Sequence, residues 1–200
     1  EVLVASAILP IVLLAIYTVY DNGLQDYARG TARADVQQNI RVALESMARE
    51  LRAAGYSPST TGCPSPPSGA ITAIGTSPVS VAFQADVDGN NCTDQVIYTF
   101  DPPTDPSKPC DASDATTIGK ITRSVQVWNN GTWSPATPVP SDVAQCVTGL
   151  TITYYNSSGT TEGNPADVRR ISIAIAGTEN VRGFSPRTYT LTSDVRLRNL

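Results

Sequence analysis

The chain contains no histidine, a single methionine, and only two lysines, Lys108 and Lys120, among its fourteen basic residues. Without histidine the commonest general base and the commonest metal ligand are missing, which excludes Ser-His and Cys-His catalysis and histidine-bound zinc or haem. Four cysteines, Cys63, Cys92, Cys110 and Cys146, show no C-x-x-C spacing, so disulfides in an oxidising compartment are the stronger reading and thiolate metal binding the weaker. The net charge of −4 lacks the positive field that nucleic acid selects. Acidic pairs occur, but none stands in an apolar context of the kind that shifts a carboxyl into a catalytic range. The expectation is a protein without enzymatic activity or cofactor, and without nucleic acid as its main partner.

One long hydrophobic run is present. Glu1 is followed by nineteen apolar or small residues, Val2 to Tyr20. As a helix rising about 1.5 Å per residue, this run suffices to cross the hydrocarbon core of a bilayer, which takes roughly 20 residues. It has neither the basic lead nor the A-x-A-like exit of a removable secretory signal, and it continues through Asp21-Asn22-Gly23 into an amphipathic pattern. It is therefore expected to belong to the working protein. Val36, Ile40, Ala43, Leu44, Met47, Leu51 and Ala54 then recur at helical spacing as one apolar stripe, while Arg41–Glu45 and Glu45–Arg49 are favourable pairs four apart. Gly55, followed by Tyr56-Ser57-Pro58, is a helix stop.

These signals predict one helix over residues 1 to about 54. Residues 1–20 form an apolar stem, and 21–56 form an amphipathic half packed under a globular part. Pro10 lacks an N–H and crowds the preceding turn, so it is expected to mark a break in the helix once the stem leaves a membrane. Tyr17, Tyr20 and Tyr27 line the helix and are read as packing groups, not as a conductive path. A carboxylate at the edge of such a run costs several kcal/mol to bury unless paired. In a lone anchor Glu1 would stay among lipid headgroups; in a polymer of packed stems it would set register. Burying one such stem removes on the order of 1,000 Å² of apolar surface, about 25 kcal/mol gross, and ordering cancels part of it.

Residues 57–200 read as a disulfide-stapled, β-rich head. Runs rich in Val, Ile, Thr and Tyr predict strands at 70–74, 79–85, 95–100, 118–128, 148–155, 168–176 and 187–197. In the last of these Tyr189, Leu191, Val195 and Leu197 alternate onto one face. Asn129-Asn130-Gly131 and Ser157-Ser158-Gly159 are turn signals, and loops are expected at 101–116 and 134–146. A long helix followed only by strands implies an α+β fold, with an antiparallel sheet laid on the helix. Four cysteines allow three connectivities. Sequential pairing, Cys63–Cys92 and Cys110–Cys146, is preferred because it closes two loops of about 30–37 residues that have weak hydrogen bonding of their own, at about 3–4 kcal/mol each. Crossed pairing across a sheet is physically open.

One acidic constellation bears on metal binding. Asp86, Asp88, Asn90 and Asp94 alternate as oxygen donors do in a calcium loop. Against this, Gly89 comes two places earlier than in an EF-hand loop and no glutamate closes it. The competing reading is a hairpin tip, where Asp and Asn favour turn geometry.

The start of the chain resembles a known family. Glu1-Val2-Leu3-Val4-Ala5 resembles the end of the class III signal of type IV pilins and pseudopilins. Gln37-Gln38-Asn39-Ile40-Arg41-Val42-Ala43-Leu44 and Glu50-Leu51-Arg52-Ala53-Ala54-Gly55-Tyr56 are similar to W-type minor pilins and J-type pseudopilins. The resemblance covers residues 1–56 and implies a helix stem with a β-sheet head, held in the inner membrane before assembly. Pilus or secretion machinery would then extract it into an extracellular filament of its own copies. It also implies that Glu1 neutralises the N-terminal ammonium of an adjacent subunit. The alternatives are a minor subunit at the filament tip or initiation complex, and a membrane-tethered adhesin or sensor head.

Overall fold

The computed structural model describes residues 2–56, 69–90, 92–105, 118–129, 132–134, 140–179 and 185–199, with side chains of the helix described from Ile8 onward. A single helix, α1 (Val2–Ala53), runs about 78 Å at 1.5 Å per residue. It is continuous through Pro10, so in the single chain there is no break at that position; the break foreseen there concerns the assembled state. Its end lies where the stop signal places it. Gly55 takes the left-handed conformation (φ 82°), and Tyr56 N–H donates to the Ala53 carbonyl at 2.9 Å. The Gly55 N–H leaves the helix altogether and donates to the Gln84 carbonyl, and the Asn199 amide reaches the Ala53 and Ala54 carbonyls.

Among the described residues nine strands follow: β1 (Ile71–Thr76), β2 (Val79–Ala85), β3 (Asp94–Asp101), β4 (Lys120–Asn129), β5 (Thr132–Trp133), β6 (Ser141–Gln145), β7 (Val147–Tyr155), β8 (Arg170–Glu179) and β9 (Arg187–Arg196). All pairings are antiparallel. They form two sheets where the sequence pattern implies one. A six-stranded sheet runs β1-β2-β3-β4-β5 with β6 also on β4, and a three-stranded sheet runs β7-β8-β9. The chain changes sheets at Cys146, a non-glycine residue with φ 61°, between β6 and β7. Such a corner leaves no mark in hydrophobic patterning. The second correction is β6, which falls inside the loop expected at 134–146. Of Ser141-Asp142-Val143-Ala144-Gln145 only Ala144 is buried, so this strand is held by backbone pairing to β4 and has little apolar signal.

The helix stripe and both sheets share one core. Ile40, Ala43, Met47, Leu51 and Ala54 are fully buried, as the spacing predicts, and Ala48 joins them. Ile171, Ile173 and Ile175 of β8 alternate inward beside Val195 of β9. Val81, Phe83, Val96 and Tyr98 supply the other sheet. Gly177 marks the closest approach of β8 to the helix, since a Cβ there would meet Val36 Cγ1 and Ile40 Cγ2, both at 2.9 Å. The sheets meet where Val147 N–H donates to the Gly119 carbonyl at 3.0 Å and the buried Tyr154 hydroxyl points to the Ser80 carbonyl at 3.5 Å.

Candidate functional site

The first half of α1 has the opposite character. From Ile8 to Tyr27 its large hydrophobic side chains are 47–73 % exposed, in contrast to the buried stripe only three turns further on. Successive helical positions point about 100° apart, so Ile11-Val12-Leu13-Leu14 place apolar surface on every side. Polar side chains in this half turn back on the helix. Thr18 Oγ1 donates to the Ala15 carbonyl at 2.8 Å, Thr31 Oγ1 to the Tyr27 carbonyl at 2.7 Å, and Gln25 to Asp21 at 2.7 Å. A helix whose backbone and hydroxyls are satisfied internally can enter apolar surroundings without orphaned groups. The helix is long and apolar enough to cross a membrane, by length and composition. Tyr17, Tyr20 and Tyr27 are exposed in the single chain, so the packing expected of them requires another molecule. Glu1 lies outside the described residues.

Where the stem joins the head, polar groups anchor the helix. Glu50 accepts from the Tyr98 hydroxyl at 2.9 Å and from Arg123 Nε at 3.0 and 3.2 Å. Tyr98 and Arg123 face one another across β3 and β4, so a single carboxylate fixes the helix against a cross-strand pair. Burial first, and then the Glu50 carboxylate beside it, pushes the Tyr98 phenol well above its ordinary range. Further along, Asn39 donates to the Gln145 carbonyl at 2.8 Å and the Arg33 guanidinium lies 5.2 Å from the Tyr189 ring centroid. Sequence reasoning missed Glu50. It sits one residue off the apolar stripe, and its partners lie 48 and 73 positions away.

The acidic constellation sits where β2 turns into β3. Asp86 Oδ1 accepts from Gly89 N–H at 2.8 Å and Asp88 Oδ1 from Asn90 N–H at 3.0 Å, so the turn chemistry expected of a hairpin tip is present. Asn90 ties the turn together: its Oδ1 accepts from Cys92 N–H at 2.6 Å and its amide donates to Asp88. The three carboxylates do converge, with one oxygen of each of Asp86, Asp88 and Asp94 within 4.8 Å of the others. Asp94 is only 1 % exposed, and its Oδ1 is buried without a hydrogen-bond partner. Burial, and next the charge of Asp88, raise its carboxyl above the ordinary value, with Asp86 adding to the effect. Cys92, in the same hairpin, and Cys146, at the sheet corner, are both disulfide-bonded. The pairing Cys63–Cys92 and Cys110–Cys146 involves Cys63 and Cys110, which lie outside the described residues.

Fold and stem define a class: an α+β protein in which one helix serves both as core element and as a membrane-competent apolar extension. Comparison with protein-family models and with curated proteins found no match.

Proposed function

We propose that the chain is a structural subunit of an extracellular type IV pilus-like filament, polymerising through its apolar stem. Before assembly the stem anchors the subunit in the inner membrane, with the head in an oxidising compartment; pilus or secretion machinery then transfers it into the fibre. The partner of the stem is the stem of other copies.

The observation that carries this reading is the contrast within one continuous helix. Residues 36–54 bury their apolar face in the head, while Ile8 to Tyr27 expose apolar side chains all round. An apolar patch far beyond the few hundred Å² ordinary for a monomer demands a partner. Lipid meets the demand before assembly, and a bundle of identical helices meets it afterwards. The internally bonded Thr18 and Thr31 suit both environments.

Imaging of the purified full chain tests the reading. Detergent removal is expected to give fibres, and particles that stay discrete would favour a tethered adhesin or sensor head. A second test is Glu1→Ala, which is expected to leave the head folded and lower sheared fibre yield at least tenfold. Wild-type yield from that variant would remove the assembly role of Glu1.

A further inference from the structure

The β2–β3 hairpin contains a cluster that its turn geometry does not explain. A two-strand connection needs one or two short polar side chains to bond its own N–H groups, and Asp86 and Asp88 do so. It does not need a third carboxylate buried beneath them. Asp94, the first residue of β3, lies there at 1 % exposure, with one oxygen unbonded and like charges beside it. Its Oδ2 accepts from Val87 N–H at the long distance of 3.5 Å. A carboxylate taken out of water with one oxygen unbonded and like charges beside it is unfavourable, and a cation relieves that cost. Arg123, whose charge reaches Asp94, is already held by Glu50.

We propose that Asp86, Asp88 and Asp94 form a calcium site that closes the β2–β3 hairpin. Two oxygens on one calcium ion can lie up to about 4.8 Å apart, twice a bond of roughly 2.4 Å, and the three carboxylates fall within that limit. The donor set is all oxygen, which selects a hard cation over zinc or copper. Asp88 is exposed and Asp86 half-buried, so water has access to complete the six to eight ligands calcium takes. Each carboxylate oxygen has more than one acceptor position, so the hydrogen bonds from Gly89 and Asn90 leave capacity for the ion. Asn90 acts as a brace, tying Asp88 to Cys92 N–H. Three charges on a preformed hairpin place the affinity in the range of extracellular modules, with Kd on the order of 0.1–1 mM. The ion would neutralise the cluster and brace a hairpin already held by the disulfide at Cys92, making the tip responsive to extracellular calcium. This inference rests on the hairpin alone and is independent of filament assembly.

The test uses the full chain in detergent micelles, freed of metal with EGTA and titrated with calcium chloride. Calcium is expected to raise the melting temperature in a saturable way, with magnesium at the same concentration giving less than half the shift. Terbium luminescence provides a direct readout. Asp94→Asn and, separately, the exposed Asp88→Asn are expected to weaken calcium and terbium binding at least tenfold. Asp35→Asn, which removes the same charge from the exposed helix surface, is expected to leave binding unchanged. If Asp94→Asn fails to fold, Asp88→Asn decides alone. No saturable response of the wild type up to 10 mM (about ten times the weakest expected Kd), an equal response to magnesium, or retained binding in a folded Asp88→Asn variant would each overturn the site.

Discussion

Replacing Gly177 by alanine probes the contact on which the helix–sheet packing depends. A Cβ at this position would sit 2.9 Å from both Val36 Cγ1 and Ile40 Cγ2 and 3.3 Å from the Cys146 carbonyl oxygen. Ordinary carbon contacts lie near 3.5–4.0 Å, so the helix must lift or two β-branched side chains must leave their rotamers. Overpacking of this kind costs about 1–3 kcal/mol. The removal of glycine flexibility from the unfolded chain returns about 0.5–1 kcal/mol and partly masks it. Gly149→Ala supplies the control, because its Cβ would meet only Ala176 Cβ at 3.7 Å, an ordinary contact. The difference between the two variants therefore isolates the clash at about 1–3 kcal/mol, or roughly 2–12 °C in Tm for a chain of this size. Urea unfolding of the full chain in micelles, followed by tryptophan fluorescence, measures it. Val36→Ala removes one of the two opposing methyls, so in combination with Gly177→Ala it should show a favourable coupling of at least about 0.5 kcal/mol. Equal stability of Gly177→Ala and Gly149→Ala, or strict additivity with Val36→Ala, would refute the claim that the helix is seated on this glycine.

Glu50→Ala should destabilise the head by about 1–3 kcal/mol, since it removes the carboxylate that the buried Tyr98 hydroxyl and Arg123 share, and Glu50→Gln should cost less; equal stability of all three by urea midpoint would refute the anchor. The head should lose stability as pH rises past 10, because burial raises the phenols of Tyr98 and Tyr154 above their ordinary value of 10.0. The sign follows from the unfolded chain releasing these protons first, at about 1.4 kcal/mol per pH unit for each tyrosine. Unfolding midpoints at pH 9 and 11 check this, and a Tyr98→Phe/Tyr154→Phe double variant with the same decline would contradict it. Peptide mapping without reductant should recover Cys63 linked to Cys92 and Cys110 linked to Cys146; a peptide joining Cys63 to Cys146 would rule that pairing out.

Much of the architecture was legible in the residues because it depends on local periodicity. The stripe from Val36 to Ala54 follows from 3.6-residue spacing, and the stop at Gly55 follows from a residue free to take positive φ. The alternation of Tyr189, Leu191 and Val195 marks β9 for the same reason. The apolar stem needed only a count of residues. β6 stayed hidden because an edge strand with one buried side chain is specified by its neighbour's backbone, and the switch between sheets at Cys146 stayed hidden because a corner has no period.

The candidate sites divide along the same line. Sequence spacing alone placed Asp86, Asp88 and Asp94 near one another, since a short hairpin brings them together in any case. That Asp94 is buried with an oxygen unbonded was decided by the packing of β3 against its neighbours. Glu50 reads in the sequence as one more charge on a helix, and only the β3–β4 register that sets Tyr98 beside Arg123 makes it an anchor. Chain-local physics writes helix, strand and stem into the sequence. Long-range pairing decides which polar groups meet, because it joins residues whose separation along the chain carries no periodic signal.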